Sequence, residues 1–136
     1  MIAIIFLFSF FLTTGAHLPA QEKISLTDVE KVKDYLLLNE SQYNSIIKIV
    51  KEIELILAED NKIISELKER VKNDDEPGFF EKIKVKNGRD ERRSRIKDLI
   101  RVAEGQLSRD QKEKFKRINK PELRSLRKEE IFGSEK

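Results

Sequence analysis

The stretch LNESQ, Leu38-Asn39-Glu40-Ser41-Gln42, returns later in the chain as LSRDQ, Leu107-Ser108-Arg109-Asp110-Gln111. In each copy the second residue, Asn39 or Ser108, suits a helix N-cap. Its side-chain oxygen can accept from an unpaired backbone N–H of the first turn. The glutamine three residues on, Gln42 or Gln111, can reach back to the cap residue's own N–H, which completes a capping box. Leu38 and Leu107 precede the caps, where an apolar side chain packs across the first turn. Tyr43 is its expected partner in the first copy, and Phe115 substitutes for Lys112 in the second. One such box says only that a helix begins; two in a short chain suggest a repeated corner.

Working outward, the intervening sequence reads as helix throughout. Gly and Pro are few, alternation of period two is nearly absent, and good helix formers dominate. A first helix is expected from 25 or 27 to 37, with Val29, Val32, Tyr35 and Leu36 on one face. The second opens at the first box and runs to about 72. Its apolar positions, from Ile46 and Ile49 through Ile64, Leu67 and Val71, keep a three-and-four spacing broken only near Asp60. A helix of that length calls for a partner along its face.

The clearest break is KNDDEPGFF, where Pro77 and Gly78 follow polar turn formers. Asn87-Gly88 is a second weak point, so residues 79–85 read equally as a short helix, a hinge or the start of the third helix. Helix returns from about 90 to 106 through Ile96, Leu99, Ile100 and Ala103. The fourth helix is expected from the second box to about 119, with Phe115 and Ile118 inward. Pro121 at N1 would then open a last turn or two through Leu123, Leu126 and Ile131, with a frayed end from Gly133. The fold class is therefore all-α: four helices plus a short C-terminal one.

The first 20 residues hold no Lys, Arg, Asp or Glu, and 2–12 is almost wholly apolar. This reads as a secretory signal peptide at 1–20, cleaved after Ala16 or Ala20, followed by one helical domain at 21–136. An uncleaved anchor is the rival reading, but the apolar run falls short of the roughly 20 residues that span a bilayer. The mature chain is charge-rich and its core correspondingly thin, and it has no cysteine to reinforce it. Assembly into a homodimer would bury more apolar surface.

Charge is unevenly placed. Residues 22–81 hold 9 basic and 15 acidic side chains, whereas 82–101 and 109–128 each hold 9 basic and 3 acidic. A basic half would suit nucleic acid in a cytosolic protein, but export argues against that partner. Acidic client segments, anionic lipid surfaces or head-to-tail pairing of subunits remain as fits.

Catalytic chemistry is missing. The only histidine, His17, lies in or beside the leader, and there is no Cys or Trp. No nucleophile with a base, no imidazole or thiolate metal ligand and no glycine-rich phosphate loop can be drawn from the mature chain. Asp74-Asp75-Glu76 lacks the spaced loop of a cation site and reads as solvated. No enzyme activity, cofactor, metal or specific small molecule is expected.

An export signal, a helical mature chain and the paired L-N-E-S-Q and L-S-R-D-Q boxes together resemble the Spy and CpxP family of small periplasmic proteins, marked by a repeated L-T-x-x-Q motif. Asn39 and Ser108 stand where that motif has threonine, and either can make the same cap bond. The resemblance covers roughly 29–118. It implies a four-helix, hairpin-like protomer pairing into a curved antiparallel dimer in the periplasm, where Leu38, Asn39, Gln42, Leu107, Ser108 and Gln111 set the corners. It also implies ATP-independent holding of unfolding envelope proteins, or alternatively the damping of an envelope-stress sensor kinase; a structural envelope protein is the plainer option.

A surface for many clients needs modest apolar contact and recruiting charge rather than a deep pocket. Phe79, Phe80 and Ile83 are the apolar candidates, and Lys84, Arg89, Arg92, Arg93 and Lys97 the basic ones, with Lys82, Arg95 and Arg101 nearby. The plain reading of the basic run is a solvated helix face. For the two phenylalanines it is a buried cap on the core, with exposure to a client as the alternative.

Overall fold

The computed structural model describes residues 23–132. The expected leader, with its cleavage after Ala16 or Ala20, and the expected frayed end from Gly133 lie outside them. Among the described residues the regular structure is helical: α1 (Val29–Leu36), α2 (Glu40–Lys72), α3 (Phe79–Gly105), α4 (Arg109–Phe115) and α5 (Lys128–Phe132). No helix among these residues is long and apolar enough to cross a membrane.

Both capping boxes form. Asn39 Oδ1 accepts from the Gln42 backbone N–H at 2.9 Å while Gln42 Oε1 accepts from that of Asn39 at 3.1 Å. Ser108 and Gln111 repeat the exchange at 3.4 and 2.9 Å. The two boxes also dock on each other through the glutamine side chains. Gln42 Nε2 donates to the carbonyl of Gln106, at the end of α3, and Gln111 Nε2 donates to those of Leu36 and Leu37, at the end of α1. Each glutamine thereby closes one helix start and satisfies an orphan carbonyl at the end of the helix leading into the other box. The chain reverses sharply before the first box because Leu37 takes the left-handed conformation, with φ 53°.

From this corner α2 extends for 33 residues, about 50 Å. It runs antiparallel to α3, as Glu52 pairs with Arg95, Asp60 with Arg89, and Arg70 with Glu81. The main core lies toward the box end, where Ile46, Val50 and Ile53 of α2 meet Val32 and Leu36 of α1, Ile96 and Ala103 of α3, and Phe115 of α4. A separate, smaller cluster lies toward the far end, where Ile64 and Leu67 of α2 meet Ile131 of α5. The far turn is tied by Arg70, which bonds Asp75 at 2.7 Å as well as Glu81. Those hydrogen bonds, Asp75 first, raise its guanidinium pKa above the ordinary value and hold that of Asp75 below it.

Three expectations are corrected, and one open choice is decided. First, α1 begins at Val29, capped by Asp28, whose carboxylate accepts from the Lys31 N–H. The residues before it are used elsewhere: Leu26 is fully buried, and Ser25 forms a parallel bridge with Asn119. Second, α4 stops at Phe115 rather than near Asn119, because the Asn119 backbone bonds the Ile24 carbonyl and the Leu26 N–H, each at 2.8 Å. Third, of the readings open for 79–85 the structure has the start of the third helix: α3 is one helix from Phe79 onward and passes through Asn87-Gly88 without a break. Fourth, Pro121 opens no helix. Residues 120–127 have no regular structure, and helix resumes only at α5.

Candidate functional site

The side chains with most to offer a partner gather where α3 begins. Phe79 and Phe80 are 71% and 84% exposed and Ile83 is 41% exposed. The expectation of a buried aromatic cap is thus overturned. The reason is helical phase: the inward positions at this end of α3 are Glu81, which pairs with Arg70 of α2, Val85 and Arg89, and residues 79, 80 and 83 fall on the opposite side of the helix. The two rings meet edge to face, with centroids 5.7 Å apart, and so keep each other partly out of water.

Ile83 stands between two open grooves. One, of about 970 Å³, is lined by Phe80, Ile63, Val85 and Arg92; the other, of about 600 Å³, by Phe79, Leu126, Ile131 and Phe132. Lysines rim this apolar ridge. Lys82 pairs with Glu76 and also lies over the Phe132 ring, whereas Lys84 and Lys86 are exposed and form no ion pair among the described residues. The arrangement offers shallow apolar contact under positive charge.

The remaining basic candidates separate into different jobs. Arg89 is not on the surface. It is 8% exposed and donates from Nη1 to Asp60 Oδ2 at 2.6 Å, with Asp60 itself only 1% exposed. Arg92, half-buried, donates from Nε to the other Asp60 oxygen at 3.1 Å; its Nη2 is at 3.0 Å but is not aligned to donate. Burial pushes the Arg89 pKa down, the Asp60 charge opposes this, and the charges of Arg93, Arg92 and Arg124 add to the lowering. Arg89 and Arg92 thus tie α3 to α2 through Asp60 rather than standing as free surface charges.

Arg93 and Arg89 also hold the irregular segment that follows α4. Arg93 Nε donates to the Leu123 carbonyl at 3.2 Å, and Arg89 Nη2 to that of Arg124 at 2.9 Å. Lys97 is exposed and, with Arg93, lines a cavity of about 430 Å³ closed on its other side by residues 121–125. Of the candidates, then, Phe79, Phe80, Ile83 and Lys84 come together at one end, and Lys97 stands apart from them near the middle of α3.

Sequence reasoning missed Asp60 as a participant and the segment 120–127 as a ligand of α3. The first left a signal. Asp60 lies four residues from both Ile56 and Ile64, so the apolar stripe itself placed it facing inward. Among the described residues no group of three or more His, Cys, Asp or Glu side chains could hold a metal ion. Comparison of the chain with protein-family models, with curated proteins and with solved structures gave no match.

Proposed function

We propose that this chain is an exported, ATP-independent chaperone of the holdase type, working as a homodimer in the periplasm and binding unfolding envelope proteins. The observation that carries the reading is the ridge of Phe79, Phe80 and Ile83, open to solvent and flanked by Lys84 and Lys86. Exposed apolar surface of this kind marks interaction sites, and surrounding charge speeds encounter. Shallow grooves on either side fit short apolar segments of many sequences better than one small molecule. The interlocked boxes support the reading by resemblance, since they serve as the corners implied for Leu38, Asn39, Gln42, Leu107, Ser108 and Gln111.

The test is aggregation of two unrelated, chemically unfolded proteins in the presence of residues 21–136, with light scattering on the protein alone to establish its oligomeric state. A dimer that suppresses both aggregations at stoichiometric amounts, and a Phe79→Ser/Phe80→Ser/Ile83→Ser variant that suppresses less, are the expected results. Suppression of neither would move the function to a single folded partner, such as an envelope sensor.

A further inference from the structure

Residues 120–132 run back along α3 from the box end toward Phe79, opposite in direction to the helix. Leu123 contributes to the main core, and beyond it Leu126, Ile131 and Phe132 sit on the small cluster around Ile64 and Leu67. The segment forms a strap over the seam between α2 and α3. Its main-chain fastenings are the Leu123 and Arg124 carbonyls, which accept from Arg93 and Arg89.

We infer that this seam is a binding groove for extended polypeptide, that the chain's own strap occupies it at rest, and that an unfolded client is held by taking the strap's place. The inference rests on the chaperone reading and names the site and mode of binding. Three observations converge on it.

The first is the chemistry of the fastenings. Guanidinium groups that bond main-chain carbonyls recognise a feature common to every extended segment, so the same two arginines serve chains of unrelated sequence. Arg89 is already oriented by Asp60, and little ordering is left to complete on binding.

The second is the division of the apolar interior. The strap's distal half packs on a cluster separate from the main core, with only Ile64, Leu67 and Ile131 buried in it. That half can leave without opening the core around Ile53 and Phe115, and a local unit of this size opens at lower free energy than the whole.

The third is continuity with the exposed ridge. Phe79 and Ile83 share a groove with the strap's Leu126 and Phe132. Departure of the strap would join ridge and small cluster into one apolar face, rimmed by Lys82, Lys84 and Lys86. The fitting occupant is an unfolded segment with apolar residues spaced like Leu126 and Ile131, neutral or acidic in charge.

The experiment compares the full chain with an Ile131→Ser/Phe132→Ser variant, which loosens the strap and leaves Leu123 and the main core untouched. Circular dichroism verifies unchanged helix content apart from α5. Two probes are used: a fluorescent peptide with the sequence of residues 121–132, and reduced, carboxymethylated α-lactalbumin, which stays unfolded. Because occupancy by the strap reduces apparent affinity by the open fraction, the variant should bind both probes at least about tenfold more tightly than the parent. The unfolded protein should also displace the peptide. Equal binding of the unfolded protein by parent and variant, or binding to the variant without displacing the peptide, would overturn the strap mechanism and leave the chaperone reading standing. Binding of the unfolded protein to neither would overturn both.

Discussion

Gln42 and Gln111 face each other as a reciprocal amide pair: Nε2 of Gln42 lies 2.9 Å from Oε1 of Gln111, and Nε2 of Gln111 lies 3.2 Å from Oε1 of Gln42. Each is also the N3 residue of its own capping box, so one side chain serves a helix start, a helix end and its counterpart. Gln42→Ala and Gln111→Ala should each destabilise the chain by about 1–3 kcal/mol, because either change leaves partly buried partners without a bond. Since the two act as a unit, the double variant should fall short of the sum by about 0.5–3 kcal/mol. Urea unfolding followed by circular dichroism measures the cycle; strict additivity would mean that the boxes are independent caps.

Asp60 makes the second distinctive contact. Its carboxylate is shared by Arg89 and Arg92 at the middle of the α2–α3 pair, where the surrounding stripe would otherwise be apolar. Asp60→Ala strands two guanidinium groups with little access to water and should cost about 3–5 kcal/mol. Replacing all three together, as Asp60→Leu, Arg89→Met and Arg92→Met, should recover most of that loss, because breaking a buried ion pair costs more than exchanging it for packed apolar groups. The same triple variant should expose the strap to proteolysis, since Arg89 no longer holds the Arg124 carbonyl. Urea midpoints and limited trypsin digestion check the two effects separately.

The reach of the sequence follows from the range of the forces involved. The boxes at Asn39 and Ser108 were legible because capping is settled within four residues, and the extent of α2 because its stripe is long and regular. That Gln42 and Gln111 meet was not legible: the bond joins residues far apart in sequence, and no local pattern encodes it. A charge count carries no phase, so it groups Arg89 and Arg92 with the surface charges. The phase was available, for Val85, Ile96 and Ala103 place 89 and 92 on the inward face of α3. Hydrophobicity alone favours burial of Phe79 and Phe80, whereas the phase of α3, with Glu81, Val85, Arg89 and Arg92 inward, turns both rings to solvent. Pro121 is compatible with a helix start, but the arginines of α3 compete for the carbonyls that such a helix would use.

Gly88 tests the continuity of α3. It lies inside the helix, and a Cβ added there would meet only the Arg92 Nη1 at 3.4 Å, the far end of a flexible side chain. Gly88→Ala should therefore stabilise the chain by about 0.5–1 kcal/mol, mainly by restricting the unfolded state. A rise in the urea midpoint with an unchanged slope is the expected result. A fall would mean that the chain uses glycine freedom at Asn87-Gly88, as a hinge would.

Acid should loosen the strap's end before it loosens the core. The Glu130 carboxylate accepts from the Arg127 backbone N–H at 2.8 Å and from Arg124 Nη1 at 2.9 Å. These bonds, the backbone one foremost, hold its pKa below the ordinary glutamate value of 4.5. A carboxylate whose pKa is depressed by folding adds stability that is fully present above the unfolded value and is lost as pH falls through the folded one. Because Glu130 is solvent-accessible, the effect should stay local to α5. Hydrogen exchange read as protection factors should show residues 129–132 losing protection as pH falls below the ordinary glutamate value of 4.5, while Ile46 and Ile53 in the main core keep theirs. Glu130→Gln should remove most of that pH dependence by eliminating the titration. Simultaneous loss of protection in α5 and at Ile46 and Ile53 would show instead that the strap's end and the core open as one unit, with no separately displaceable segment between them.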